Sequence, residues 1–441
     1  MTTIPQLAAT LAAVLTEEAD RAGRQTGFVQ RSDAKLTGSV FVQTLVFGLG
    51  ADPQASLSAL TQTSAALGVT ISPEALHQRF DRTAATCLEH VLGAAIGEVL
   101  CADPLSLPIL DRFAEVVVQD STTIALPEAL AAVWTGCGNG TPDAGNAALK
   151  LQVALDLRTG RLRGPTLHDG RESDAHATLH HDLPQGAVRL VDLGYFDLAL
   201  LAELDARGVS WFSRMQALTS LQTDDGRWWR LHDLLAAMPE ATLDLPVRLG
   251  REAQVRARLL AVRAPQEVVD QRRRRLREEA KAQGQMVSAL RLALAAWSVF
   301  VTTIPPDGLT VTEALVLARA RWQIELLFKL WKSHGQIDLV RDVQPWRVLC
   351  ELYGRLLNQI VQHWLLLVSG WDAPARSWGK AAQTIRTHWI ALATAMGQPA
   401  RLRDALTTLA RCIQAGCRKN RRRKHPCTFQ RFLMSTDSCV A

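Results

Sequence analysis

Residues 115–123, Glu-Val-Val-Val-Gln-Asp-Ser-Thr-Thr, mark the point where the chain changes character. Glu115–Val118 is a short β-branched run, the kind of segment that packs on a pleated surface, and it leads into a carboxylate at Asp120. A second strand is predicted over Leu149–Leu157. It ends at Arg158-Thr159-Gly160-Arg161, a turn signal between two extended runs. The glycine-rich stretch from Gly136 to Gly145 reads as the loop between the first two strands. A polar stretch from Glu172 to His181 predicts a helix, and Ala187–Val191 predicts a strand that stops at Asp192-Leu193-Gly194. Phe196–Arg207 then reads as a helix and Gly208–Phe212 as another strand. Three strands in a meander followed by alternating helix and strand imply a mixed α/β layer.

Upstream of this layer the pattern is helical, and Ser72-Pro73-Glu74 has the form of a helix start with its cap and first-turn proline. Downstream, Trp228–Leu231, Ala241–Leu249 and Val255–Val262 are short alternating runs that break the rhythm and predict a mostly β insertion. Ala296–Thr303 is a last strand. A helix from Thr312 to about Ser333 follows, with Thr310 or Thr312 near its cap. The predicted organisation is therefore a helical N-terminal region (1–110), an α/β core (111–216), a β-rich insertion (217–304), a core helix (305–340), a helical C-terminal region (341–415) and a basic tail (416–441).

The 441 residues are 48% hydrophobic and 21% charged, which excludes a disordered chain, and the longest apolar runs fall short of the roughly 20 residues of a membrane span. Eight cysteines at irregular spacing, and an N-terminus that reaches Glu17, Glu18 and Asp20 without a basic start, predict a cytoplasmic protein with reduced thiols and no membrane partner. Lys plus Arg exceed Asp plus Glu by 49 to 43. The excess is concentrated in the tail, where Arg411, Arg418, Lys419, Arg421, Arg422, Arg423, Lys424 and Arg431 occur without an acid. Such a run suits a polyanion, since each phosphate contact releases counterions.

On one continuous helix, Ala318, Arg321, Glu325, Phe328 and Lys332 fall within roughly 80° of one another. A carboxylate between two cations on an otherwise apolar helix is either an i,i+4 ion pair or a site. Asp120 and Asp192 stand where strands are predicted to end. Three carboxylates at the edge of a mixed sheet suit two Mg²⁺ ions, which take hard oxygen ligands and keep positions for water and phosphate.

The segment Arg321-Trp322-Gln323-Ile324-Glu325-Leu326-Leu327-Phe328-Lys329-Leu330-Trp331-Lys332 resembles the signature around the third acid of the insertion-sequence-4 family of DDE transposases. Asp120-Ser121-Thr122 resembles the first-acid motif, and Asp192-Leu193-Gly194-Tyr195-Phe196 the second. Ala318 stands where the family usually has tyrosine. The resemblance runs from about residue 28 to 431. It implies an RNase H-like mixed sheet interrupted by the β-rich insertion, and an enzyme that cleaves at the inverted-repeat ends of an insertion sequence and transfers 3′-OH strands to target DNA. It further implies that Asp120, Asp192 and Glu325 hold two Mg²⁺ ions, for which Mn²⁺ substitutes, and that Arg321 and Lys332 grip DNA phosphates. Trp297 falls where some members place an aromatic that stacks on a flipped base. Double-stranded DNA is the implied partner, region 1–110 the implied reader of its ends, and a homodimer the implied synaptic unit, associated with the nucleoid when bound to DNA. A metal-dependent nuclease of the same fold and a silent DNA-binding remnant are the alternative readings.

Other groupings are weaker. Cys412, Cys417, His425 and Cys427 lack paired C-x2-C spacing. His168, His176, His180 and His181 lack the glutamate of a zinc hydrolase, and Asp174 among them is at most an accessory contact. Arg272 to Arg275 and Arg277 read equally as a solvated helix face or a nucleic-acid contact.

Overall fold

The computed structural model describes residues 1–136, 146–342, 344–371, 373, 375–420 and 430–431. The chain forms a mixed α/β protein with a large mixed sheet and helical flanks, divided into two compact units. Among the described residues no helix is long and apolar enough to cross a membrane. Ten strands occur among them: β1 (Val116–Leu126), β2 (Ala147–Asp156), β3 (Leu162–Asp169), β4 (Val188–Val191), β5 (Ser210–Arg214), β6 (Ser220–Thr223), β7 (Trp228–Arg230), β8 (Thr242–Leu249), β9 (Val255–Arg263) and β10 (Trp297–Thr302).

One unit takes Met1–Ser106, Ser121–Glu172 and, among the described residues, the chain from Ile324 to Asn420. It holds the N-terminal helices, the antiparallel hairpin β2–β3, and three long C-terminal helices. Its centre is the helix Pro345–Gly370, packed against helices Arg82–Gly97 and Gly38–Ala51. Gly50 permits the approach: a Cβ there would lie 2.2 Å from Asn358 Nδ2 and 2.7 Å from Trp389 Nε1.

The central helix carries a buried polar ladder, and every step has a partner, as low-dielectric burial demands. Glu351 accepts from Arg347 at 3.0 Å and from Arg355 at 2.9 Å, and Arg355 also donates to the carbonyls of Leu339 and Pro53. Asn358 donates to the Val46 carbonyl, Gln359 to Asn358, and Gln362 to Gln359. His363 Nε2 donates to the Gly160 carbonyl at 2.7 Å. Gly160 sits at φ +71° against the Trp371 ring, closing the β2–β3 turn as the sequence predicts.

The other unit takes Leu107–Asp120 and Ser173–Gln323, with Gln430 and Arg431. Within it the strand order is β1-β4-β5-β10-β9-β8-β6-β7. β1, β4 and β5 are parallel and the remaining neighbours antiparallel, so β10 joins the insertion strands to the core strands in one sheet. Helix Leu198–Ala206, capped by Asp197, packs on β5. Thr310 and Glu313 form a reciprocal capping box at the start of helix Val311–Ala320. Glu313 is 2% exposed and takes a two-pronged contact from Arg112, at 2.6 and 3.0 Å.

Three expectations are corrected. Asp120 does not end its strand, because the β-branched Thr122, Thr123 and Ile124 carry β1 to Leu126. Residues 172–181 form turns around a single 3-10 turn, Asp174–His176, so His176 and His180 share no helix face. The helix predicted from 312 to 333 is two helices, Val311–Ala320 and Trp322–Ser333, separated at Arg321. Arg321 keeps helical dihedrals (φ −51°, ψ −33°), and its guanidinium engages carboxylates at that point. The glycine-rich loop beyond Gly136 lies outside the described residues.

The buried groups of both units have measurable consequences. Burial pushes the His363 imidazole down to about 4, only partly countered by its bond to Gly160. Its folded pKa lies below the ordinary 6.5, so the unfolded chain binds the extra proton first and stability falls as pH drops from 6.5 toward 4. The loss approaches about 3 kcal/mol, and His363→Gln should flatten the dependence of melting temperature on pH in that window. Arg112→Met leaves the buried Glu313 carboxylate without its ion partner and should cost about 3–5 kcal/mol in denaturant unfolding.

Candidate active site

Parallel pairing positions the first two acids. Val117 lies opposite Arg189 and Val118 opposite Leu190, so Asp120 and Asp192 each stand two residues beyond the last paired positions, on the side of the strands that alternation gives Val118 and Leu190. Arg321 closes this pair. Its Nη1 lies 3.5 Å from Asp120 Oδ2 and its Nη2 lies 3.5 Å from Asp192 Oδ2. One planar fork therefore spans two carboxylates that would otherwise repel each other. Asp192 also accepts from the Leu193 N–H at 2.8 Å, which fixes it at the start of the 3-10 turn Leu193–Tyr195. Asp174 lies against that turn, since a Cβ at Gly194 would meet its Oδ2 at 3.2 Å.

The opposite face of the same strands holds a group that sequence reading missed. Arg189, fully buried in β4, donates through Nε to Gln119 Oε1 at 2.9 Å, and its Cζ lies 5.5 Å from the Tyr195 ring centroid. Its Nη1 and Nη2 have no hydrogen-bond partner among the described residues, and burial pushes its pKa down to about 10. The only sequence signal for it is a single arginine inside the apolar run Val188–Val191. The strand alternation then puts Gln119 and Arg189 behind the sheet and Asp120 and Asp192 in front of it.

Glu325 and Lys332 lie two turns apart on helix Trp322–Ser333, the former one turn beyond Arg321. Trp322 and Leu326 on that helix are 55% and 40% exposed. Trp297 begins β10 opposite Arg263, whose Cζ lies 4.8 Å from its ring centroid, and Arg272 donates to its carbonyl at 3.1 Å. The basic helix Gln266–Ala282 is divided in role. Arg272 and Arg273 bond to backbone carbonyls, while Arg275 pairs with Glu279 at 2.8 Å and Arg274 with Glu278 at 3.7 Å.

Arg418 bridges to Arg376 through its backbone and Lys419 donates its N–H to the Ala375 carbonyl. Arg421, Arg422, Arg423, Lys424, His425 and Cys427 lie outside the described residues. Cys417 is buried with its Sγ 3.3 Å from Thr384 Oγ1, and Cys412 is exposed. His168 is held by Glu172 and Thr166, and burial with the nearby Arg189 pushes His180 down to about 4.

Among the described residues no group of three or more His, Cys, Asp or Glu is gathered to enclose a metal ion. The donor set nevertheless fits a hard divalent cation. Two front-face carboxylates leave room for water and phosphate oxygens, which is how Mg²⁺ is commonly held, and a guanidinium already balances their charge. All three side chains are partly exposed, so the Arg321 contacts are worth only a modest amount. Arg321→Ala should lower the melting temperature measured in EDTA by the equivalent of about 1 kcal/mol, and millimolar Mg²⁺ should recover more stability in this variant than in the parent.

Residues 111–359, which include Asp120, Asp192, Arg321 and Glu325, match the family described as transposase DDE domain. The chain is 26% identical over 368 residues to the transposase for insertion sequence element IS231F of Bacillus thuringiensis subsp. israelensis, covering 78% of this chain and 76% of that protein. It is 24% identical over 381 residues to the transposase for IS1151 of Clostridium perfringens, covering 80% and 78%. A shorter stretch of 101 residues is 34% identical to the putative transposase InsL of IS186A from Escherichia coli, covering 23% and 27%. With more than half its length matched, the chain belongs to the DDE transposase family and is an enzyme that acts on DNA.

Proposed function

We propose that this transposase is an insertion-sequence-4 type enzyme that cleaves the inverted-repeat ends of its element and joins the freed 3′-OH groups to target DNA, with Asp120, Asp192 and Glu325 as its acids. The observation that carries the reading is the Arg321 fork across Asp120 and Asp192, which marks the convergence of two anions at adjacent parallel strands. The order of β1, the antiparallel hairpin β2–β3 and the parallel β4 and β5 supports an RNase H-like core. The three acids would hold Mg²⁺, which supplies Lewis-acid activation of the attacking oxygen and stabilisation of the leaving oxygen.

Each residue then has a task. Asp120 and Asp192, set side by side, provide oxygen donors on one face. Glu325, one turn beyond Arg321, provides the third carboxylate. Arg321 exchanges carboxylate for phosphate oxygens when a DNA strand enters, and Lys332 contributes a second, flexible cation to the same backbone. Water attacks a phosphodiester at the element end and releases a 3′-OH. That hydroxyl attacks a target phosphodiester, one P–O bond forming as another breaks, with no covalent protein intermediate. Trp297, backed by Arg263, is a platform for a base displaced from the duplex. The N-terminal helices read the repeats, Arg418, Lys419 and the basic run after them hold the duplex, and two copies synapse the two ends in the cytoplasm.

Purified protein, Mg²⁺ and labelled DNA bearing the inverted repeats that flank its element test this. Specific nicking and joined products are expected, and both should fall by at least about a hundredfold in Glu325→Ala and in Asp120→Ala. Cleavage without joining would make the protein a nuclease. Full activity in either variant would remove that acid from the site.

A further inference from the structure

The insertion strands carry a charged row that the catalytic reading does not use. Arg256 on β9 is directly opposite Arg248 on β8, Arg248 is opposite Gln222 on β6, and Gln222 is opposite Trp228 on β7. Directly opposed residues share a face, so these four side chains form one line across four strands. The neighbouring row, Val255, Leu249, Leu221 and Trp229, takes the other face, where Val255, Leu249 and Leu221 are buried. Arg248 and Arg256 are exposed, and neither has an ion-pair partner among the described residues. Arg251 adds a third exposed guanidinium, 5.2 Å from the Trp228 ring centroid, and Arg230 lies at the edge opposite Ser220.

Two like charges directly opposite on neighbouring strands destabilise a sheet. The acids nearest this row do not relieve them. Asp244, on the same face of β8, is held by the buried Arg258 at 2.6 Å, Asp225 accepts from the Thr223 hydroxyl and the Arg227 N–H within its own turn, and Asp224 and Glu252 stand in the turns at the strand ends. A phosphodiester backbone relieves the repulsion, because one anion bridges two guanidinium forks and an arginine-backed indole offers a stacking face beside it. We infer that this face of the β-rich insertion, centred on Arg248, Arg256 and Trp228, is a second DNA-binding surface that grips the duplex backbone away from the cleavage site. The partner is DNA, given the cationic face and the enzyme's action on DNA. The surface stands whether or not Asp120, Asp192 and Glu325 are the catalytic acids.

The test is fluorescence anisotropy of the full-length protein with a random-sequence DNA duplex in EDTA, over a salt series, so that cleavage plays no part. Near 0.1 M salt, Arg248→Ala/Arg256→Ala should weaken binding about tenfold for each phosphate no longer neutralised, and reduce the log–log salt slope by about 0.9 per phosphate. The same variant, free of DNA, should melt at the parent's temperature or above it, since only repulsion is removed. Arg248→Lys/Arg256→Lys should retain most of the slope. Arg274→Ala/Arg275→Ala, on the ion-paired helix, should leave it unchanged. An unchanged slope in the first variant, a lower melting temperature there, or an equal weakening in the helix variant would overturn the assignment.

Discussion

Two carboxylates side by side at adjacent parallel strands are an unfavourable arrangement, and the unit that holds Asp120 and Asp192 is organised around tolerating it. Their Coulombic cost is reduced by the Arg321 fork in front, 3.5 Å from each acid. Behind the sheet, Arg189 and Gln119 occupy the strand positions that alternate with the acids. The register of β1 against β4 thus does two things at once: it brings Asp120 level with Asp192 and places a buried cation under them. A slip of one residue would turn both acids to the wrong face.

The same logic of opposed charge appears in the insertion with the sign reversed. There the paired groups are Arg248 and Arg256, and no carboxylate among the described residues compensates them. Some buried charges are paired with an opposite charge, as in the Arg347–Glu351–Arg355 ladder and the Arg112–Glu313 pair. Charge left uncompensated at the surface, in a protein whose substrate is a polyanion, belongs to binding, whereas charge compensated in the interior belongs to folding.

Much of the local architecture is legible in the sequence. The strand around Val116, the turn at Gly160, the helix caps at Ser72 and Thr310 and the strand before Asp192 follow from β-branched runs, turn residues and caps, all short-range effects. The errors are also local in origin. Residues 172–181 look helical because polar spacing resembles helix spacing, yet among the described side chains there Ala177 is the one fully buried apolar group, too little to hold a helix against the sheet. The segment 312–333 looks continuous because its apolar period is continuous. Arg189 is hidden because a single arginine in an apolar strand is indistinguishable in sequence from an edge residue.

The sequence by itself determined which residues are candidates for chemistry: three carboxylates in order, an Arg-x3-Glu-x6-Lys spacing, and a basic tail. It also determined that helices flank a mixed sheet, since periodicity and turn chemistry act over a few residues. Only the tertiary structure decided that Arg321 spans Asp120 and Asp192, that Arg189 lies behind them, and that Arg256, Arg248, Gln222 and Trp228 form one row. Those relations depend on strand register between segments far apart in the chain. Register is set by which faces are buried when the sheet assembles, a property of the packed whole that no local pattern carries.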